Sequence, residues 1–250
     1  MKIKWFISVL CFATVIVIFL VRTRISDEEN DLQPQTSTPN LQTSTLNLQT
    51  STLKPQPSNL VNIRDADSAI LVDLKYATTD NFTGMILYEG IDGAYLQPDV
   101  ALMLAEAHRY LKTLYPALRL LVYDAARPLS VQRTMWERVK DTQYSRYVAS
   151  PDRLSLHNFG AAVDLTIADS LGHPLDMGTP FDYFGRAAGI SDEQGLMAQG
   201  ILTRQQIQNR QLLRQVMHHA GFRSISGEWW HFNACSLQEA KQRYTVVEDY

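Results

Sequence analysis

Two imidazoles and two carboxylates stand in two short clusters of the C-terminal half of the sequence. The first cluster, SLHNFGAAVD, carries His157 and Asp164, and the second, EWWH, carries Glu228 and His231. A catalytic zinc ion usually has three protein ligands drawn from His, Asp, Glu and Cys, with a further position open to water. We therefore expect His157, Asp164 and His231 to hold zinc, and Glu228 to act as general base toward the attacking water.

Each of these residues also has an ordinary structural interpretation. A single histidine in a globular domain is more often a hydrogen-bonded residue than a metal ligand. Asp164 lies in the segment AAVDLTI, where Val163, Leu165 and Ile167 alternate as the buried face of a predicted strand and the carboxylate points to the opposite face. An unpaired buried charge is costly, so this carboxylate requires a partner. That partner is either a metal ion or an arginine.

The residues around the proposed ligands fit a dry, closely packed site. Gly160 lets the chain turn between the first two ligands. Trp229 and Trp230 are expected to be core or pocket-wall residues. The spacing of the ligands differs from the helical HExxH motif, so the sequence predicts a different metallopeptidase architecture.

The combined pattern SxHxxGxAxD followed by ExWH resembles the zinc D-Ala-D-Ala metallopeptidases. Within that group it is most similar to the D-alanyl-D-alanine dipeptidases of the vancomycin-resistance type. Three further segments carry the resemblance, which spans about residues 62–233: KYATTDNFTG at 75–84, DAARP at 124–128 and MGTPFD at 177–182. The first of these segments is the most specific to the dipeptidase branch.

The resemblance implies one zinc ion per chain and a role for each matching residue. It makes His157, Asp164 and His231 the zinc ligands and Glu228 the catalytic base. It also assigns Arg127 to the tetrahedral intermediate, because a fixed guanidinium beside zinc would stabilise the developing oxyanion.

Three more residues match family positions that hold the free amino end of the substrate, namely Tyr76, Ser155 and Asp182. Without the resemblance, Tyr76 would be a strand-end aromatic, Ser155 a turn residue and Asp182 an ordinary loop carboxylate, while Arg127 would simply pair with an acidic residue. One departure is visible, since DAARP replaces the more usual DGYRP. It leaves Arg127 in place but is expected to change a neighbouring wall of the site.

The implied function is zinc-dependent hydrolysis of D-alanyl-D-alanine to D-alanine. Two alternatives stay open: a D,D-carboxypeptidase acting on murein stem peptides, and a catalytically silent module that binds cell-wall peptides around a structural zinc. Residues 62–93 are expected to cap the cleft, which favours the dipeptidase. Glu228 and Arg127 argue against the silent module, because a structural zinc needs neither.

Composition predicts one globular domain with an N-terminal extension. The 250 residues are 45% hydrophobic and 20% charged, with a formal net charge of -3. The sequence has no basic excess, so a nucleic-acid partner is not suggested. The expected partner, a small-molecule substrate, is what the resemblance implies. Of the two cysteines, Cys11 lies in the extension and Cys235 is alone in the domain, so no disulfide is expected within it.

The extension has two predicted parts. Residues 1–25 carry a basic start, MKIK, and 17 uncharged residues at 5–21, as in a signal peptide or membrane anchor. An uncleaved anchor is favoured, with the domain exported to the periplasm or cell envelope. Arg22 and Arg24 follow the run, so the opposite orientation, with a cytoplasmic domain, stays open. Residues 26–58, which repeat NLQTSTL, are predicted to be a flexible linker because this composition suits neither helix nor coiled coil.

The domain, residues 59–250, is predicted to be α+β, with helices packed around a small, mainly antiparallel sheet that carries the zinc ligands. Its predicted strands cover 69–76, 119–124 and 161–167, with a last strand approaching the EWWH cluster. Its predicted helices cover 98–115, 130–139 and 203–220. His108, His218 and His219 fall on helices and are expected to be packing or surface residues, whereas His173 is expected to be exposed.

Overall fold

A five-stranded sheet runs through the part of the chain that the computed structural model describes, residues 59–249. The strands are β1 (Val61–Asn62), β2 (Leu71–Val72), β3 (Tyr95–Leu96), β4 (Leu118–Asp124), β5 (Ala162–Asp169), β6 (Arg223–Ser224) and β7 (His231–Asn233). The sheet order is β2-β4-β5-β7-β6, while β1 and β3 form a separate antiparallel pair. Only β2 and β4 are parallel within the larger sheet. The predicted α+β fold with a mainly antiparallel sheet is therefore confirmed.

Helices surround this sheet. They are α1 (Ile63–Ala66), α2 (Pro98–Leu114), α3 (Leu129–Val139), α4 (Glu193–Ala198), α5 (Arg204–His219) and α6 (Leu237–Arg243). Short 3-10 helices cover Lys75–Ala77, Ser145–Tyr147, Leu156–Phe159 and Arg186–Ala188. Proline at the first position of α2 has the backbone angle that a helix start requires. Thr203 begins α5 by accepting a hydrogen bond from the backbone N–H of Gln206.

The two longest helices cover the two central strands. α2 contacts β4 and α5, and α5 also contacts β5. Leu120, Val122, Leu165 and Ile167 of the central strands are fully buried in the same core cluster. Burial of each such side chain stabilises the fold by about 1.5–3 kcal/mol. The central strands are thus firmly packed and can hold the residues at their ends in fixed positions.

The register of the strands places polar residues of β4, β5 and β7 side by side at one end of the sheet. β4 is irregular between Val122 and Asp124, and Asp124 lies opposite Asp164 of β5. On the other side of β5, Asp164 lies opposite His231 of β7. Residues that are far apart in the sequence therefore meet at this end.

Two details of the predicted fold are wrong. The strand expected at 69–76 is limited to β2, because the chain turns into the 3-10 helix Lys75–Ala77. The Asn81 side chain donates hydrogen bonds to the carbonyls of Lys75, Thr78 and Met85, which fixes this turn instead of a strand. Moreover, the sheet carries only two of the three proposed ligands, because His157 lies on the 3-10 helix Leu156–Phe159.

The predicted extension, residues 1–25 and 26–58, lies outside the described residues. Across residues 59–249, no helix combines the length and the apolar character needed to cross a membrane. The proposed domain boundaries stay predictions.

Candidate active site

The three proposed ligands present one donor atom each to a common point. His157 Nε2 lies 3.1 Å from His231 Nδ1 and 3.3 Å from Asp164 Oδ1, and His231 Nδ1 lies 2.9 Å from Asp164 Oδ1. Donors bound at about 2.0–2.1 Å to a tetrahedral zinc are themselves about 3.3 Å apart. The set of two imidazoles and one carboxylate at this spacing therefore fits a zinc ion.

Hydrogen bonds on the far side of each imidazole aim the donors. His157 Nδ1 donates to the carbonyl oxygen of Ala125 at 2.6 Å, which leaves Nε2 free to face the site. His231 Nε2 donates to Asn233 Oδ1 at 2.8 Å, which leaves Nδ1 facing the site. Such outer hydrogen bonds fix the tautomer and the ring orientation of metal-binding histidines.

The turn that carries His157 is itself held at both ends. Ser155 accepts a hydrogen bond from the backbone N–H of His157, and Asn158 accepts one in return from that of Ser155. Gly160 ends the turn with φ +62°, and a Cβ there would stand 2.8 Å from a methyl of Leu60. The turn predicted at Gly160 is therefore confirmed, and glycine is required for both its backbone angle and the close packing.

The carboxylate and the imidazoles of the ligand cluster shift each other's pKa values. Burial would raise the pKa of Asp164, but the adjacent imidazoles hold it well below the ordinary value. Burial would lower the pKa of His231, but its hydrogen bond to Asp164 outweighs this and raises the pKa to about 9. The ionised carboxylate and the protonated imidazole therefore stabilise each other.

Arg127 lies beside this cluster in a dense network. Its Nε and Nη2 donate to Asp124 Oδ2 at 2.9 and 2.6 Å, and its Nη1 donates to Gln132 Oε1 at 3.0 Å. Nη2 also lies 3.6 Å from Asp164 Oδ2. Burial would lower the pKa of Arg127, but Asp124 keeps it raised well above the ordinary value. Arg127 therefore has the acidic partner expected of an ordinary arginine, and it also lies beside the proposed metal ligands.

Tyr76 and Asp182 form a second polar pair. The Tyr76 hydroxyl donates to Asp182 Oδ1 at 3.0 Å, while Asp182 Oδ2 is buried without a hydrogen-bond partner among residues 59–249. Asp182 also has φ +59°, a strained backbone angle for a residue other than glycine. Burial raises its pKa to about 8. This buried carboxylate oxygen can accept a hydrogen bond that residues 59–249 do not supply.

Glu228 completes the polar set. Burial raises its pKa to about 7, with an opposing contribution from His231. A carboxylate with a pKa near 7 can accept and return a proton near neutral pH.

These groups surround one cavity of about 300 Å³. All eight predicted site residues line it: Tyr76, Arg127, Ser155, His157, Asp164, Asp182, Glu228 and His231. Aromatic side chains form much of the remaining wall, including Phe82, Tyr147, Phe184 and Trp230. The volume is at the lower end of the range for small-molecule sites, so the cavity suits a small polar ligand.

The change of a neighbouring wall expected from the DAARP departure stays a prediction. Ala126, which stands where the family usually has tyrosine, is outside the cavity lining. It packs instead with Leu60, Tyr95 and Val247 in a separate apolar cluster. From the segment predicted to cap the cleft, residues 62–93, Tyr76 and Phe82 line the cavity.

Three residues of the site were not predicted from the sequence. Asp124 belongs to the recognised DAARP segment, and its proximity to Arg127 was a usable signal. Asn233 follows His231 by two positions in β7, so the two side chains share a face of the strand. Gln132 had no comparable signal, because only the packing of α3 places it beside Arg127.

The family comparison agrees with this geometry. The peptidase M15 family, described as D-ala-D-ala dipeptidase, matches residues 56–249. The chain belongs to this family. It is therefore a zinc metallopeptidase, and His157, Asp164 and His231 are the residues suited to hold the metal.

Curated relatives share most of the domain. The chain is similar to the D-alanyl-D-alanine dipeptidase of Escherichia coli (strain K12), with 36% identity over 64% of this chain and 77% of the relative. It is 32% identical to that of Enterococcus faecium, over 64% of this chain and 83% of the relative. A solved structure of a vancomycin resistance D,D-pentapeptidase in complex with Zn(II) matches at a TM-score of 0.34 and 15% identity, covering 60% of this chain and 79% of that chain. That structural likeness is too low to support an argument.

Proposed function

We propose that this protein hydrolyses D-alanyl-D-alanine to two molecules of D-alanine. The observation that carries the proposal is the buried Oδ2 of Asp182, which has no hydrogen-bond partner among residues 59–249 and belongs to the same small cavity as the metal donors. A dipeptide has its free ammonium one residue from the scissile bond, so a carboxylate this close to the metal donors suits it. Relatives named D-alanyl-D-alanine dipeptidase at 30–36% identity support the same substrate.

Different residues bind the substrate, hold the metal and transfer the proton. Asp182 binds the substrate ammonium as a charge-assisted hydrogen-bond acceptor, with Tyr76 and Ser155 completing that end of the cavity. When zinc is held by the three donors, it acts as a Lewis acid on the scissile carbonyl and makes water a stronger nucleophile. A carboxylate oxygen of Glu228 takes a proton from the attacking water and then delivers it to the nitrogen of the leaving D-alanine.

Arg127 stabilises the charge that develops on the carbonyl oxygen. A guanidinium has five N–H groups, of which three donate to Asp124 and Gln132. The other two, one each on Nη1 and Nη2, make no hydrogen bond within residues 59–249, and Nη2 lies 3.6 Å from Asp164 Oδ2 beside the metal donors. Because Asp124 and Gln132 already hold the guanidinium, little reorganisation is needed when the oxyanion forms.

Comparing two substrates distinguishes a dipeptidase from a D,D-carboxypeptidase and from a silent binding module. The full chain is loaded with one equivalent of zinc, and D-alanine release is compared for D-Ala-D-Ala and N-acetyl-D-Ala-D-Ala, which lacks the ammonium. We expect release from the free dipeptide at least about 100-fold faster in kcat/KM, because the acylated substrate leaves Asp182 buried without its cation. Faster release from the acylated peptide would indicate a D,D-carboxypeptidase, and release from neither would indicate a silent binding module.

The location of the domain is a separate part of the proposal. The basic start and the uncharged residues 5–21 support an N-terminal membrane anchor, followed by the linker 26–58 and the exported peptidase domain. Fractionation of cells producing the full chain should then find it in the membrane fraction. The domain should also be cleaved by protease added outside the inner membrane. Full protection of the domain from that protease would contradict export.

A further inference from the structure

One buried amide joins the catalytic arginine to the wall of the cavity. Gln132 lies on α3 and is fully buried. Its Oε1 accepts a hydrogen bond from Arg127 Nη1 at 3.0 Å, and its Nε2 donates to the carbonyl oxygen of Ala149 at 2.8 Å. Ala149 lines the cavity together with its neighbours Tyr147 and Val148. The oxygen and the nitrogen of the amide are therefore both hydrogen-bonded, the oxygen to Arg127 and the nitrogen to the cavity wall at Ala149.

The segment on the Ala149 side packs Val148 into the main core but has few polar connections to the rest of the molecule. Within the described part of the chain, the other hydrogen bonds of residues 142–153 are local and join residues at most three positions apart. Ring contacts of Tyr144 and Tyr147 with Phe184 attach the outer part of the segment. The Gln132 amide is thus the polar connection between this wall and the rest of the site.

On the Arg127 side, Gln132 contributes orientation without adding charge. Asp124 neutralises the guanidinium from one edge through Nε and Nη2. With a single carboxylate, the planar group could pivot about that edge, and the bond to Nη1 restrains such rotation. A neutral amide does so without reducing the positive potential that an oxyanion needs.

We propose that Gln132 is a positioning residue for the hydrolysis, which fixes Arg127 for the transition state and couples it to the Tyr147–Ala149 wall. The inference rests on the proposed function. It predicts that the amide acts on turnover through Arg127, rather than through the stability of α3.

A double-mutant cycle tests this coupling on the zinc-loaded full chain with D-Ala-D-Ala. Gln132→Met keeps the side-chain volume and removes both hydrogen bonds. We expect it to lower kcat about 10- to 30-fold while KM changes less than about 3-fold, a loss specific to the transition state. In an Arg127→Ala background, the same substitution should change kcat by less than about 2-fold, because the group that Gln132 positions is absent.

Val139→Ala is the matched control for helix stability. Val139 is buried on α3 but is outside the cavity lining. It should lower the unfolding temperature with kcat and KM within about 2-fold of the wild type.

Three results would overturn the inference: an unchanged kcat in Gln132→Met, an equal loss of kcat in the Arg127→Ala background, or an equal loss in Val139→Ala. A wild-type chain without activity on either dipeptide would overturn the proposed function and the inference together. An active wild type with any of the three results contradicts the inference alone.

Discussion

The metal donors and the proposed ammonium pocket, formed by Tyr76, Ser155 and Asp182, are built in opposite ways, although they line one cavity. The donors come from paired strands and a capped turn, and their outward nitrogens are hydrogen-bonded to Ala125 and Asn233. The ammonium pocket is assembled from distant segments around Asp182, which has a strained backbone and one buried oxygen without a partner among residues 59–249. The first region has its outward hydrogen bonds satisfied by the fold, whereas the second keeps one buried oxygen without a partner among residues 59–249. Under the proposed function, the substrate ammonium supplies that missing partner.

Loss of a metal donor should have the largest effect of all. His157→Ala removes one of three donors, so we expect zinc content to fall well below one per chain and turnover to fall by more than about 10³-fold. Zinc is measured by atomic absorption and D-alanine by a coupled assay. His173→Ala is the control, because the His173 side chain is exposed and, among residues 59–249, pairs with Asp169 alone. Full zinc content in His157→Ala would show that the described donor set is wrong.

Neutralising the ammonium pocket should impair substrate binding while zinc stays bound. Asp182→Asn preserves shape and tolerates the left-handed backbone angle, but it cannot ionise when the substrate ammonium binds. We expect kcat/KM for D-Ala-D-Ala to fall about 30-fold or more, mainly through KM, with zinc content unchanged. Asp176→Asn, on the same connection but outside this cavity, should retain wild-type kinetics. Equal kinetics for Asp182→Asn and the wild type would remove Asp182 from substrate recognition.

The same substitution should stabilise the free enzyme in a pH-dependent way. The pKa of Asp182 is about 8 in the folded protein against an ordinary 3.8, so folding takes up a proton between these values. Wild-type stability therefore loses a contribution as pH rises from about 4 to about 8, and Asp182→Asn does not. The unfolding free energy of the variant should exceed that of the wild type increasingly over this range, as measured by urea denaturation at fixed zinc. If the difference in unfolding free energy between the variant and the wild type stayed constant from pH 4 to 8, the raised pKa of the buried Asp182 would be contradicted.

A smaller effect on turnover is expected from loss of the hydrogen bond between His231 and Asn233. Asn233→Ala removes the acceptor that orients His231, so we expect zinc affinity to fall about 10- to 100-fold while saturated enzyme keeps most of its turnover. Competition with a zinc-binding dye measures the affinity. Asn209→Ala, on α5 and away from the site, is the matched control. Unchanged affinity in Asn233→Ala would mean that the strands alone fix His231.

The difference between the two regions also explains what the sequence could predict. The ligands, Glu228 and Arg127 lie in compact motifs whose residue types suggest their chemistry, and the long helices and central strands follow from hydrophobic periodicity. Tyr76 was expected on a strand, but Asn81 satisfies the local carbonyls and fixes a 3-10 helix instead. The orientation of Ala126 away from the cavity and the contact of Gln132 with Arg127 depend on packing between elements. No pattern within one segment encodes such contacts.

The most direct test of a zinc hydrolase with Glu228 as its base is the variant Glu228→Gln. It keeps the size of the side chain but has no carboxylate to take a proton from water. Zinc content and kcat on D-Ala-D-Ala are measured on the same preparation. We predict about one zinc per chain and a kcat lowered by about 10²–10⁴-fold. A zinc-loaded Glu228→Gln enzyme with kcat within a few fold of the wild type would contradict the account.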